Sequence, residues 1–258
     1  MITEHIFISD VHLGAFSQET NSKIEQDLIK LVRYCTEHRI KINILGDLFD
    51  YWMEFPEKNF IPALGSGVLK EFERYNKEIT STLYITGNHD NWTFGHFEDC
   101  GFDVEENFRL VEIQGTRVLM MHGDGVAASK IDFPRAVFHR LLRNPEFINV
   151  YQKVFTPERG LATMKAFSNF TRQRNNHNPE PLNRQAKKIF DKHNLDYIIS
   201  GHDHVPRIET FSQGNYINLG AFFNNRTLAL YNNKGLNLVK WKAESNSFIP
   251  FSGNQSKL

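Results

Sequence analysis

Thr86-Gly87-Asn88-His89-Asp90 follows the apolar run Ser81-Thr82-Leu83-Tyr84-Ile85, a buried strand closed by a glycine turn. Four other stretches repeat the arrangement. Ile6-Phe7-Ile8-Ser9 leads into Asp10-Val11-His12, and Ile42-Asn43-Ile44-Leu45 into Gly46-Asp47. Val118-Leu119-Met120-Met121 leads into His122-Gly123-Asp124, and Tyr197-Ile198-Ile199-Ser200 into Gly201-His202-Asp203-His204. Each short apolar strand ends in Asp, Asn or His. In open α/β sheets ligands collect beyond the carboxyl ends of the strands, so five such ends can meet in one crevice.

Between the first three strands the pattern is helical. Ile24, Leu28, Leu31, Val32 and Cys35 recur at helical spacing from Glu19 to His38, and Leu69, Phe72, Tyr75 and Ile79 do so from Val68 to Ile79. Residues 56–67, with two Pro and two Gly, read as loop. A β-α-β-α-β opening predicts an α/β fold with a parallel sheet covered by helices. Phe108–Ile113 and Arg117–Met121 read as a hairpin around Gln114-Gly115. Residues 125–182 carry helical stretches (133–143, 146–155 and 159–174) broken by prolines, which predicts a helical cap inserted into a single domain spanning 1–245. A helix over Asn183–His193 returns the chain to the strand at 196–200. Short strands then follow as an antiparallel meander, with a frayed polar tail from 246 to 258.

Composition narrows the function. The 258 residues are 40% hydrophobic and 23% charged, with zero net charge and a pI near 7.2, so no global pull towards nucleic acid exists. Two cysteines, Cys35 and Cys100, fit a reducing cytoplasm rather than a disulfide framework. The N-terminus runs straight into a strand with no signal-peptide pattern, and no apolar run approaches the roughly eighteen residues of a membrane span, so any membrane contact is peripheral.

The strand ends supply the ligands of a dinuclear metal centre. Two ions need a bridging carboxylate and two or three further ligands each. Asp10, His12, Asp47 and His204 can hold one ion, and Asp47, Asn88, His122 and His202 the other, with Asp47 as the bridge. Nitrogen and oxygen donors without thiolate suit Mn²⁺, Fe²⁺ or Zn²⁺. His89 is suited to protonate a leaving oxygen or to stabilise charge on phosphorus, and Asp90 can hold its tautomer. Hydrolysis of a phosphate ester or anhydride by a metal-bound hydroxide follows. His5, His38, His96, His139, His177 and His193 lie outside the five blocks and read as surface, helix-end or structural residues.

Asp10-x-His12, Gly46-Asp47, Gly87-Asn88-His89-Asp90, His122-Gly123-Asp124 and Gly201-His202-x-His204 resemble the five blocks of the calcineurin-like metallophosphoesterases. The resemblance implies a four-layer α/β/β/α sandwich with the dinuclear site at the strand ends. Leu45 to Trp52, the helical insertion and Asn218-Leu219-Gly220-Ala221-Phe222 further resemble the UDP-2,3-diacylglucosamine diphosphatases of lipid A synthesis. That likeness implies cleavage of a lipid-linked nucleotide sugar to UMP and 2,3-diacylglucosamine 1-phosphate. It also implies Mn²⁺ and a place at the cytoplasmic face of the inner membrane. Two features depart from it: His89 stands where that family carries arginine, and Gly125–Lys130 lacks its threonine and acidic residues.

The cap has its own chemistry. Residues 130–174 hold nine Lys/Arg against three acids, a net of +6 that leaves −6 for the rest of a neutral chain. Six phenylalanines are interleaved with them. Such a segment suits an anionic amphiphile, with Lys130, Arg135, Arg140 and Arg143 beside Asn88 as candidate substrate contacts. A helical hairpin that buries its Phe and solvates its cations explains the same composition. Two other functions stay open: a general phosphodiesterase or nucleotide pyrophosphatase on the same metals, and a non-catalytic scaffold.

Overall fold

The computed structural model describes residues 2–125, 135–172 and 178–252. In chain order the first half contains β1 (His5–Ile8), α1 (Gln18–His38), β2 (Lys41–Leu45), α2 (Ser66–Glu78), β3 (Leu83–Ile85), α3 (His96–Asp99), β4 (Asp103–Glu105), β5 (Phe108–Ile113) and β6 (Thr116–Met121). The cap helices follow as α4 (Val137–Leu142), α5 (Pro145–Val154) and α6 (Pro157–Arg172). After α7 (Glu180–Lys192) come β7 (Tyr197–Ser200), β8 (Arg207–Thr210), β9 (Asn215–Asn218), α8 (Phe222–Asn225), β10 (Thr227–Asn232), β11 (Gly235–Lys242) and β12 (Ser247–Pro250).

Two sheets form. One has the order β12-β11-β10-β1-β2-β3-β4, the other β5-β6-β7-β9-β8. Strands β1 to β4 run parallel, as the βαβ opening requires, and β6, β7 and β9 are parallel in the second sheet. The alternation of side chains along a strand assigns each residue to a layer. Ile6 and Ile8 pack under α1 and α2 with Leu28, Leu31, Phe72 and Tyr75, whereas Phe7 faces the other sheet with Val118, Met120, Ile199 and Ile217. Leu119, Met121 and Ile198 point outwards and bury Ala186, Ile189 and Phe190 of α7. Burial of each such large side chain stabilises the fold by about 1.5–3 kcal/mol. The order helices, sheet, sheet, helix is the α/β/β/α sandwich.

The cap helices pack on the core through Leu142, Ile148, Tyr151 and Met164, which meet Tyr51, Met53, Phe55 and Trp92. The Trp92 indole N–H donates to the Leu142 carbonyl at 2.7 Å. Two readings of the C-terminal region are corrected. The strands after Val205 do not form one meander: β8 and β9 join the second sheet, while β10 to β12 complete the first. The tail is ordered as far as Pro250, because Phe248 packs on Trp241 at 5.3 Å and Tyr34 at 5.5 Å while β12 pairs antiparallel with β11.

One consequence of the packing is measurable. Burial, and then the charge of Lys41, lower the pKa of His5 to about 4. The same ring titrates near 6.5 in an unfolded chain. Between those values the unfolded state binds the extra proton, so stability is complete above about pH 6.5 and falls as pH drops through the window. Urea unfolding of His5→Gln is expected to show a weaker acid loss than the native chain there; identical pH dependence would refute the assignment.

Candidate metal centre

Backbone hydrogen bonds tie the turns in pairs, and two aspartate side chains join the rest. Val11 and His12 N–H both donate to the Asp47 carbonyl, at 2.9 and 3.0 Å, and Gly201 N–H donates to the His122 carbonyl at 2.9 Å. Asp10 Oδ2 accepts from His202 N–H at 2.9 Å, and Asp47 Oδ1 from His89 N–H at 2.9 Å. Close approach is built in. A Cβ on Gly201 would lie 2.2 Å from Asp10 Oδ2, and one on Gly87 only 2.0 Å from Asp47 Oδ1.

Asp10, His12, Asp47, His202 and His204 all have positive φ, between 48° and 74°. Non-glycine residues avoid this region, and such strain survives only where the surroundings enforce it and concentrates at functional sites. Five of the seven residues singled out by their position after strands share this conformation.

Their donor atoms converge. His204 Nε2 lies 3.1 Å from Asp10 Oδ1 and 3.3 Å from His12 Nε2. Asp47 Oδ2 lies between two imidazoles, 3.6 Å from His12 Nε2 and 3.4 Å from His122 Nε2. His122 Nε2 is also 3.1 Å from Asn88 Oδ1 and 3.3 Å from His202 Nδ1. Ligands bound at about 2.0–2.2 Å stand roughly 3.0–3.5 Å apart along the edges of a coordination polyhedron, so these spacings suit shared ions. The Nδ1–H of His122 donates to the Leu45 carbonyl at 2.9 Å, leaving Nε2 as the free donor. The donor set, oxygen and imidazole without thiolate, fits two divalent cations with Asp47 between them.

Electrostatics point the same way. Burial opposes the Asp10 and Asp47 charges, yet the surrounding histidines outweigh it and hold both carboxyls well below the usual range. Burial likewise disfavours a charged His12 and His122, but the adjoining aspartates raise them to about 9 and 10. His202 goes the other way, to about 3, through burial and the His122 charge. The buried centre thus sets ionised carboxylates directly against imidazole rings.

The site also corrects three sequence readings. Asp90 does not face His89: it accepts from Leu48 N–H at 2.7 Å, Gly87 N–H at 2.7 Å and Tyr84 Oη at 2.5 Å, knitting the turn to the core. Burial and the Asp47 charge push its pKa upwards. The carboxylate against His89 is Asp50, whose Oδ1 is 3.2 Å from His89 Nδ1 and 3.7 Å from His12 Nδ1. Arg135 and Arg143 are not presented to a ligand. Arg135 is buried, with Nε 3.1 Å from the Gly125 carbonyl and 3.2 Å from Asp124, and Arg143 is occupied by main-chain carbonyls. Arg140 is exposed, and Lys130 lies outside the described residues.

His139, read as a surface residue, is partly buried, with Nδ1 3.9 Å from Asp124 Oδ2 and its ring centroid 5.8 Å from that of His202. Its signal in the sequence was the spacing to Arg143, four residues on and about one helical turn away, which sets the two on the same side. His96 stacks on Trp52 and is structural.

Residues 6–206 match the calcineurin-like phosphoesterase family. A UDP-2,3-diacylglucosamine hydrolase of Aliivibrio fischeri is 24% identical over 254 residues, covering 91% of this chain and 97% of that protein. One from Photorhabdus laumondii is 25% identical over 211 residues, covering 78% and 82%. Among solved structures, the phosphoesterase Yfce of E. coli is 14% identical with a TM-score of 0.47, covering 95% of this chain and 96% of that one. The family match takes in every turn of the centre, and the chain belongs to the calcineurin-like phosphoesterases, hydrolases of phosphoester or anhydride bonds that work with divalent metal ions.

Proposed function

We propose that the chain hydrolyses the pyrophosphate of UDP-2,3-diacylglucosamine, giving UMP and 2,3-diacylglucosamine 1-phosphate, with Mn²⁺ as the metal. The observation that carries this reading is the extent of the Aliivibrio fischeri match, which runs through the cap as well as the metal-bearing core. Tyr51, Met53, Trp92, Leu142 and Met164 line a shallow apolar cleft beside Asn88 and His89, where an acylated sugar could make contact.

Asp10, His12, Asp47 and His204 would hold one ion, and Asp47, Asn88, His122 and His202 the other. When bound, such ions supply Lewis acidity at phosphoryl oxygens and a water acidified towards neutrality. The protein's own residues do the rest. Asp47 is aligned by His89 N–H, so the bridge and the acid are tied to each other across two neighbouring turns. His89 presents Nε2 for the leaving oxygen while Asp50 faces Nδ1 and stabilises the imidazolium.

The same reading puts the protein at the cytoplasmic face of the inner membrane as a peripheral enzyme. Among the described residues no helix is long and apolar enough to cross a membrane. Val137, Phe138 and Leu141 of α4 and Val150 and Val154 of α5 are exposed, an apolar surface suited to a bilayer interface.

A second reading, a general phosphodiesterase or nucleotide pyrophosphatase, is favoured by the inward turn of Arg135 and Arg143, which leaves fewer cap cations for a diphosphate. Hydrolysis by the Mn²⁺-loaded protein of UDP-2,3-diacylglucosamine, bis-p-nitrophenyl phosphate and UDP-glucose separates the two. UMP released efficiently from the acylated substrate alone is the expected result. Turnover of the simple diester without the lipid substrate would keep the metal chemistry and end the lipid assignment.

A further inference from the structure

We propose that Arg143 is a positioning residue, which locks the Thr86-Gly87 turn so that Asn88 and His89 stay directed at the centre and joins the cap to it. The inference rests on the reading of the metal centre above and extends it to a residue outside the five blocks. Arg143 follows the last turn of α4 and reaches back into the core. Its Nη1 donates to Thr86 Oγ1 and the Glu106 carbonyl, both at 3.0 Å. Its Nη2 donates to the Thr86 carbonyl at 3.0 Å and the Gly87 carbonyl at 2.8 Å, with Asp124 Oδ2 at 3.4 Å.

The turn is therefore gripped from two sides. Gly87 presses on Asp47 so closely that no Cβ fits, and the guanidinium holds the carbonyls on the other side. The Gly87 carbonyl belongs to the peptide that carries Asn88 N, so fixing that oxygen fixes the plane from which the Asn88 side chain departs. Asn88 Oδ1 then meets His122 Nε2 at 3.1 Å, and the His89 N–H meets Asp47 Oδ1. The Asp124 carboxylate faces this arginine and is shared with Arg135. A planar fork with several N–H groups suits a hydroxyl and two neighbouring carbonyls, which an ammonium point charge does not. The guanidinium faces protein acceptors, so its effect on the reaction passes through Asn88 and His89.

The test uses the full chain, stripped of metal, with Mn²⁺ titrated calorimetrically and turnover at saturating Mn²⁺ measured on the substrate that the native protein hydrolyses, UDP-2,3-diacylglucosamine as expected above or bis-p-nitrophenyl phosphate under the second reading. Arg143→Met is expected to weaken Mn²⁺ binding and lower kcat, each roughly 10–100-fold, with KM unchanged. Arg143→Lys should recover little of either. Thr86→Val alone should show a smaller loss of the same kind, and should add little in the Arg143→Met background. A raised KM with intact Mn²⁺ affinity would make Arg143 a substrate contact and overturn the proposal. So would a lowered melting temperature with Mn²⁺ affinity and kcat retained. If Arg143→Met fails to fold, Arg143→Lys and Thr86→Val decide by the same readouts. Native protein that takes up no Mn²⁺ would instead overturn the reading of the centre, an outcome distinct from a loss confined to the variants.

Discussion

Gly87→Ala is expected to cut turnover by roughly 100-fold or more, because it displaces the candidate bridging ligand. The new methyl would stand 2.0 Å from Asp47 Oδ1, 2.7 Å from Asp47 N and 2.8 Å from Asp47 Cγ. Gly87 lies outside the left-handed φ range, so the obstacle is close approach and not backbone conformation. Neither side can yield easily. The Asp47 carbonyl accepts from Val11 and His12 N–H, while the Gly87 turn is held by Asp90 Oδ1 at 2.7 Å and by Arg143. Overpacking of this kind also costs about 1–3 kcal/mol of stability. Turnover and Mn²⁺ uptake of the folded variant provide the check. Near-native values for both would mean that Asp47 need not sit where the structure has it.

Asp50→Asn is expected to lower kcat by roughly 10²-fold or more while leaving KM nearly unchanged, since it removes the charge behind the proposed acid. Burial opposes ionisation of Asp50, but its contacts with His12 and His89 prevail and keep the carboxyl far below the usual range. One carboxylate oxygen thus serves two rings, one belonging to a candidate ligand and one to the candidate acid. An amide has no charge to stabilise imidazolium at His89. If its NH₂ turned towards His12 Nδ1, the ring proton would shift to Nε2, the atom needed for a metal. Mn²⁺ affinity should therefore fall together with kcat. Asp90→Asn provides the contrast: it removes a charge accepting three core donors, so its first effect is a lower melting temperature. Should Asp90→Asn abolish turnover in a fully stable protein while Asp50→Asn leaves it intact, the assignment of roles would be reversed.

Sequence alone determined the five metal-bearing blocks and the elements that precede them, because both are local. An apolar run of four or five residues that ends in Gly, Asp or His closes its own turn, and helical spacing over Glu19–His38 or Val68–Ile79 needs no distant partner to be recognised. The candidate ligands Asp10, His12, Asp47, Asn88, His122, His202 and His204 could be picked out for this reason, and those side chains stand together in space.

What tertiary structure decided is which groups meet across the chain. Asp50 and Asp90 are equally plausible partners for His89 by type, and only the docking of the Gly46-Asp47 turn beside the Asn88 turn selects Asp50. The cap arginines read as a cationic surface until α4 lies against the core, where Arg135 and Arg143 find Asp124 and the carbonyls of Thr86 and Gly87. The C-terminal strands share one period-two pattern, yet β8 and β9 enter one sheet and β10 to β12 the other. Side-chain alternation states which face is apolar and leaves the neighbouring strand open. Pairing and charge partnership depend on elements tens to hundreds of residues apart, and their choice is made by packing of the whole core.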